Sequence, residues 1–572
     1  MTAWTTLCRV GNRAAVFLLL LGAPFSSLAF AADEPSKSSK SPIAKQTATQ
    51  LRTTAEAAEK AGDWDAAFTA YCHLFVADRN ASDVREKLNT ALRRAQQLRR
   101  HRDPQFQRFV ATTTVSDALN LFGEVITKVP VLYVERDRST PQLLWESGIE
   151  ELSRALKNPT FRQVFLDSTS GDKLTDKDKL EEFRTSLRVW AKQPVTDARI
   201  ARTTLRKLIS SAQDAFNIRV PSALVLEMVC GACGGLDEYT VFLSPSQLNP
   251  DSVSAIPDLS AQGVYLAFTD GGLVVSGIAF GSWAALHTEL HKGDRIARLN
   301  GRSMDMATPA SAAEALRAVD GLTHTLEIAT AGSENFMVLL PVTVPTVYGP
   351  RVVNMKDSGA VGYARIGSFG PNTPRELDDA INMLKTQQGV RVMILDLRGN
   401  MGGSFLASVE TAKRLIPSGL IVTTQGQLNE VANQPFSSDS GMTAHDIPVV
   451  VLIDAETASA AEVLAAALKD NNRATLIGMP TFGKGAIQYP LKLVSLDDVD
   501  EQGKPRTNRS GTVRLTIAKL IAPRGGTING VGIPPHILEA DPVQQLNLAI
   551  EKAIELLPSA PRPLMSSPTV EP

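Results

Sequence analysis

Two short runs in the second half of the chain, Val390 to Leu397 and Pro448 to Asp454, are apolar at nearly every position. A strand reads this way when both of its faces are covered, as in a parallel sheet sandwiched between helices. Strand and helix patterns alternate around these runs. Gly362 to Ile366 is a predicted strand, Pro374 to Lys385 and Ser404 to Leu415 are predicted helices, and Ala474 to Ile477 and Thr512 to Ile517 are further strands. The alternation predicts a layered α/β core over residues 346–543. Upstream, from Pro104 to about Leu236, apolar residues recur at three and four spacing, as in Ala118 to Phe122 and Leu143 to Leu156, which predicts helices. Residues 255–345 between these regions have another texture, with short β-rich runs, glycines and one helix pattern. The expected class is a multidomain α/β protein: a helical first part, a β-rich domain and an α/β core.

The N-terminus has its own pattern. Arg9 and Arg13 precede an apolar run from Ala14 to Leu21, and Ala29-Phe30-Ala31 offers a small-residue cleavage site. This is the layout of a secretory signal, expected over residues 1–31 and removed on export. The apolar run is short for a membrane span, and Pro24 interrupts its continuation. The expected location is therefore outside the cytoplasm, in the periplasm or cell envelope, with membrane association left open. Residues 32–50, rich in Ser, Lys, Ala and Pro, read as a flexible linker. Residues 51–100 follow with two amphipathic helices. Ala61 to Phe68, with Ala70 and Tyr71, resembles the start of a tetratricopeptide unit, which implies a protein partner. A single unit cannot bury its own apolar face, so it is expected to pack on the next helices or on that partner. Residues 101–254 read as a helical scaffold whose mixed charges lie on solvated faces, and residues 544–572 as a C-terminal helix and proline-rich tail.

Composition narrows the function classes only slightly. The chain has 572 residues, 59 basic and 60 acidic, a balance that calls for neither nucleic acid nor an anionic membrane as principal partner. Three of its four cysteines, Cys72, Cys230 and Cys233, lie beyond the signal segment. Cys230 and Cys233 have a redox or half-zinc spacing, yet no second such pair completes a metal site. Buried thiols or a local disulfide are expected, and no metal or other cofactor. His287 and His291, four residues apart, lack an evident third ligand and read as surface residues.

In the β-rich block, Gly263 to Phe268 and Leu273 to Ile278 are strand candidates, His291 to Gly301 reads as a turn, a strand and a hairpin glycine, and Ser311 to Val319 is an amphipathic helix. Thr325 to Thr330 closes the block as another strand. This order resembles a PDZ domain, although Gly281-Ser-Trp-Ala284 replaces the commoner small-Pro-Ala wording. The resemblance implies capture of an extended chain end as an added strand, with backbone N–H groups on its carboxylate. Gly263, Val264 and Tyr265 would form the carboxylate-facing loop, with the helix Ser311 to Val319 as the opposite wall.

Candidate chemistry lies in the core. Arg398-Gly-Asn-Met-Gly-Gly403 follows a buried strand and precedes a helix, an arrangement that points backbone N–H groups into an open site for an oxyanion or a phosphate. No phosphate-loop pattern accompanies it, and a purely structural turn is the third reading. Ser459 opens the apolar helix after the second buried strand, where the helix dipole favours a developing negative charge. Lys484 follows between two glycines, at a spacing that suits a helix, a strand and a turn back to the same side of a sheet. A buried lysine with a lowered pKa can take a proton from a serine hydroxyl. A helix cap and a surface turn are the plain alternatives for these two residues.

The ordered motifs Gly234 to Pro245, Leu395 to Gly403, Thr457-Ala-Ser-Ala-Ala-Glu462, Thr481-Phe-Gly-Lys-Gly485 with Gln488, and Gly530 to Pro535 together resemble the carboxyl-terminal processing proteases, the tail-specific Ser/Lys family S41. The resemblance covers about residues 110–545 and implies a protease core of the layered crotonase and ClpP kind. It also implies Ser459 as nucleophile, Lys484 as base and Gln488 as the residue that orients the lysine. Gly402 or Gly403, with Ala460, would donate backbone N–H groups to the oxyanion. Two departures stand out: the run before Glu462 is poorer in serine than usual, and His536 replaces the usual aspartate after Gly-Ile-x-Pro. Residues 496–510 read as a polar insertion. The expected function is an exported serine endopeptidase acting on proteins or peptides with apolar C-termini. A catalytically silent tail-binding scaffold and a small-hydrophobe carrier on the same core are the alternatives. Nucleic acid is not an expected partner, and a homo-oligomer stays open.

Overall fold

The structure is a computed structural model that describes residues 48–77, 82–166, 177–248, 259, 262–269, 272–278, 282–317, 319, 321–329, 335–356, 359–428, 433–439, 444–498, 507 and 509–557. The expected signal segment, most of the linker, much of the 496–510 insertion and the proline-rich tail lie outside the described residues.

The first described helices, Ala48–Ala61, Trp64–Ala77 and Ser82–Arg102, share one apolar core built on Leu51, Phe68, Tyr71, Leu74, Val84 and Leu88. They do not stand alone. Near the end of the third helix, His101 Nε2 lies 2.9 Å from Glu227 Oε1, and Arg100 donates to Glu227 Oε2 at 2.9 Å and to Glu151 Oε1 at 3.0 Å. Buried charges of this kind are tolerated only when paired, so the network locks the helix to the scaffold behind it. The scaffold helices begin at well-formed caps. Thr114, Thr140, Asn158 and Asp197 each accept a backbone N–H of the following turn. The helix Ser222–Gly234 is buried on nearly all sides. That burial explains Cys230 and Cys233, which are free thiols one helical turn apart. Burial pushes the Cys230 thiol up to about 12 and Cys233 higher still, so both are held protonated.

The β-rich block forms one sheet with strand order Val264–Thr269, Gly272–Ile278, Arg295–Leu299, Thr323–Ala329, Phe336–Pro341, and the short strand Arg302–Ser303 pairs with Arg295–Leu299. Asn300 and Gly301, both at positive φ, make the hairpin turn between the last pair. The helix spans Pro309–Arg317, two residues earlier than its apolar pattern predicts, and its Ala312 and Ala315 share a core with Val264 and Leu266.

The core contains two sheets. In the first, Ile537–Leu538, Ala474–Gly478, Val449–Ile453, Val390–Asp396, Gly359–Ile366 and Val347–Lys356 lie side by side, parallel except for the last pair. The two continuous apolar runs are its central strands. Met393, Leu395, Val449, Val451 and Ile453 face one apolar layer, while Val392, Ile394, Val450 and Leu452 face another, beneath the helix Pro542–Glu555. The second sheet is antiparallel, with the order Val241–Leu243, Thr512–Ile521, Gly419–Gly426, Gln434–Ser438, and Ala486–Lys492 also pairs with Thr512–Ile521. Strand Thr512–Ile521 runs well past the end that its apolar pattern marks. Strand Val241–Leu243, which follows the scaffold helices in sequence, belongs to this core sheet.

Candidate active site

Three neighbouring parallel strands of the first sheet, Val390–Asp396, Val449–Ile453 and Ala474–Gly478, deliver three turns to the same end of the sheet. Open α/β sheets place their sites at the carboxyl ends of such strands. The turns are stitched to one another. Asp454 accepts the Gly399 N–H at 3.0 Å and the Thr457 N–H at 2.9 Å, Ala458 N donates to Asn400 O at 2.9 Å, and Phe482 N donates to Thr457 O at 2.9 Å. The arginine that opens the glycine turn is structural. Arg398 is buried, binds Asp396 at 2.7 Å and reaches Gln545 on the C-terminal helix at 3.1 Å. Burial alone would raise the Asp396 carboxyl, but Arg398 and Arg365 hold it at about 2.

Ser459 is the N-cap of the helix Ala460–Asp470 and has φ 57° and ψ −118°. A non-glycine residue rarely adopts positive φ, and such strain persists only where the surroundings enforce it. Here the enforcing group is Glu462, fully buried one turn into the helix. Its Oε2 accepts the Ser459 N–H at 2.8 Å and the Lys484 N–H at 2.7 Å. Its Oε1 accepts the Gly483 N–H at 2.7 Å and the Thr481 hydroxyl at 2.5 Å. One carboxylate therefore fixes the backbone of both Ser459 and Lys484. Burial pushes the Glu462 carboxyl up, against the pull of these four donors.

Lys484 is partly buried, and its Nζ lies 5.7 Å from the centre of the Tyr239 ring. Burial, helped by nearby Arg514 and opposed by Glu462, pushes its amine down to about 8. No hydrogen bond joins Ser459 Oγ to Lys484 Nζ among the described residues. Gln488 lies on the strand Ala486–Lys492 opposite Thr516, and its Nε2 is buried with no hydrogen-bond partner among the described residues. The expected contact from Gln488 to the lysine is thus not made in this arrangement.

Gly402 has φ 108°, and a Cβ there would stand 2.8 Å from Ser459 Cβ and 3.0 Å from Ala460 N. Only glycine permits that approach. The Gly402 N–H is already donated to Asn400 Oδ1 at 2.8 Å, which leaves Gly403 and Ala460 as the freer of the three oxyanion candidates. Gly263, Val264 and Tyr265 sit elsewhere, at the start of the edge strand of the β-rich sheet, where Val264 N donates to Leu259 O at 3.1 Å. His536, in place of the expected aspartate, exchanges backbone-like bonds with Leu476: its N donates to Leu476 O at 2.8 Å and its Nδ1 accepts the Leu476 N–H at 2.9 Å.

Sequence reasoning gave no role to Glu462 or Tyr239. Glu462 had a signal, because Ser-x-x-Glu at a helix start is the capping-box pattern. Tyr239 had none beyond its motif, since its place under Lys484 depends on the pairing of Val241–Leu243 with Thr512–Ile521.

Two regions of the chain match known protein families. Residues 360–538 match the model of peptidase family S41, and residues 252–329 match the PDZ domain. The carboxyl-terminal-processing protease of Synechocystis sp. is 31% identical over 54% of this chain and 69% of its own length. That of Picosynechococcus sp. is 30% identical over 56% of this chain and 76% of its own. Among solved structures, the photosystem II D1 C-terminal processing protease aligns with a TM-score of 0.36 at 23% identity, over 72% of this chain and 98% of that one. The chain belongs to peptidase family S41, the carboxyl-terminal-processing proteases, and is a serine-type peptidase that carries a PDZ domain.

Proposed function

We propose that the protein is an exported endopeptidase that holds the apolar C-terminal tail of a protein substrate on its PDZ domain and cleaves peptide bonds with a Ser459/Lys484 dyad. The observation that carries this reading is the shared carboxylate: Glu462 binds the amides of both residues at 2.8 and 2.7 Å and keeps Ser459 in its strained turn. In the proposed reaction Ser459 Oγ attacks the scissile carbonyl as its proton passes to neutral Lys484 Nζ. The resulting oxyanion is met by the N–H groups of Gly403 and Ala460. Collapse breaks the C–N bond, and the leaving amine takes the proton from Lys484. Water then attacks the acyl ester, gives its proton to Lys484 and releases the new carboxyl terminus, and the proton returns to Ser459. Gln488, whose buried amide nitrogen has no partner among the described residues, would orient Lys484 once substrate binds. Absence of an Oγ to Nζ hydrogen bond fits a site that tightens on substrate binding.

The test is cleavage of a peptide with an apolar C-terminus by the purified chain. Ser459→Ala and Lys484→Ala are each expected to abolish cleavage while tail binding persists. Unchanged cleavage in either variant overturns the dyad, and loss of binding on deletion of residues 252–329 alone supports the tail-holding role of the PDZ domain.

A further inference from the structure

The helices Trp64–Ala77 and Ser82–Arg102 reach the turn that carries Lys484. Phe75, 6% exposed, sets its ring edge-on to Phe482, with centroids 6.5 Å apart and planes at 71°. Phe482 precedes Gly483 and Lys484. Ten residues on, Arg85 forms an ion pair with Glu238, whose neighbour Tyr239 lies under Lys484 Nζ. The same guanidinium lies against Gly530, where a Cβ would stand 2.6 Å from its Nη1. Gly530 N in turn donates to Gly483 O at 2.8 Å. Arg85 thus touches the Lys484 turn by two short routes, one through Glu238 and Tyr239 and one through Gly530 and Gly483.

The helix that carries Arg85, Ser82–Arg102, is fixed at its other end by the buried network of Arg100, His101, Glu227 and Glu151. Gln97 adds bonds to Glu227 at 3.2 Å and to the Glu151 carbonyl at 3.1 Å. A helix held at one end by buried charges and at the other by the catalytic turn transmits position, because a helix of this length is stiff over its roughly 30 Å.

We infer that the N-terminal helical unit is a positioning element of the active site, in which Phe75 and Arg85 hold the Lys484 turn against Tyr239 and limit its access to water. The inference rests on Lys484 acting as the base. Looser packing hydrates the amine, and hydration favours its charged form. The low pKa of the amine, about 8, agrees with a turn shielded in this way.

The experiment uses the full chain with three variants: Phe75→Leu, which keeps apolar bulk in the helical core but removes the ring; Arg85→Glu; and Arg85→Glu combined with Glu238→Arg, which restores the pair in reverse. For the first two, kcat is expected to fall about tenfold with KM within about twofold, and the acid limb of the pH profile to move up by about half a unit or more. The charge swap recovers most of the loss. Thermal melts identify any variant that has merely unfolded, and Phe75→Leu, the mildest change, then decides. Wild-type kcat and pH profile in a folded Phe75→Leu and Arg85→Glu overturn the inference, as does a rise in activity, which would make the unit a cover over the site. Ser459→Ala, run alongside, tests the dyad separately: residual cleavage in that variant defeats the proposed mechanism itself.

Discussion

Replacing Glu462 with glutamine changes one atom at the centre of the site, and the four donors around that carboxylate determine the cost. Glu462 Oε1 accepts from Thr481 and Gly483, and Oε2 from Ser459 and Lys484. The glutamine amide nitrogen must take one of the two positions. In the Oε2 position it would face the Ser459 and Lys484 N–H groups and orphan both. In the Oε1 position the Gly483 N–H loses its acceptor, and the Thr481 hydroxyl must turn its proton elsewhere and accept from the new amide. Thr481 Oγ1 already accepts the Ile533 N–H at 2.7 Å, so an acceptor role is within its reach. The second arrangement is therefore favoured. Each buried donor left without a partner costs about 1–3 kcal/mol. Burial pushes the Glu462 carboxyl up, so removing its charge also relieves a desolvation penalty. The charge does act on Lys484, where Glu462 raises the amine pKa against burial and Arg514. Its removal moves the acid limb of the activity profile to lower pH. Urea unfolding of the full chain, read as a midpoint at constant slope, gives the stability change, and kcat/KM against pH gives the limb. A limb that moves to higher pH in Glu462→Gln, or wild-type stability and kcat in Glu462→Ala, refutes the role assigned to this carboxylate.

Two further outcomes are expected from the same geometry. Lys484 must be neutral to accept a proton, so activity is expected to rise with pH through a midpoint of about 8, with about a tenth of the amine neutral at pH 7. Because the folded pKa lies below that of the unfolded chain, stability also rises with pH above about 8 as the buried amine loses its charge, and pH-dependent denaturation of the wild type against Lys484→Met isolates that contribution. Gly402→Ala places a methyl 2.8 Å from Ser459 Cβ on a backbone at φ 108°, and is expected to lower kcat/KM by about a hundredfold or more with the chain still folded, as judged by thermal melting.

The parts of the fold that were legible in the sequence are those where one physical signal dominates. Val390–Asp396 and Val449–Ile453 are apolar on both faces because both faces are covered. The second core sheet was mostly illegible. Gly419–Gly426, Gln434–Ser438 and Ala486–Lys492 mix polar with apolar residues and contain glycine or proline, and their strand form depends on pairing with Thr512–Ile521 and one another, partners distant in sequence. The site divides the same way. Ser459, Lys484 and Gly402 lie in motifs, whereas the arrangement of Tyr239, Arg85 and Phe75 around the lysine is created by tertiary packing and leaves no local pattern.

The proposed use of a lysine as the base sets a conflict that this site would resolve through its backbone. Holding Lys484 beside Ser459 calls for a strong anchor, and a buried carboxylate is the strongest acceptor within reach. A carboxylate bound directly to the amine would stabilise its charged form and raise its pKa, which defeats a base. Glu462 avoids this because four donors, three of them backbone amides, already occupy its roughly four lone-pair directions. It anchors the lysine by the main chain while its lone pairs are closed to the side chain. The amine is left to an aromatic face, Tyr239, and to the repulsion of Arg514, and burial can then lower its pKa. The same carboxylate, through the Ser459 amide, holds the proposed nucleophile in a conformation that an isolated serine would leave. Placement of the pair and tuning of the base are thus two consequences of one saturated carboxylate, and a change that frees one of its lone pairs for the Lys484 amine should disturb both together.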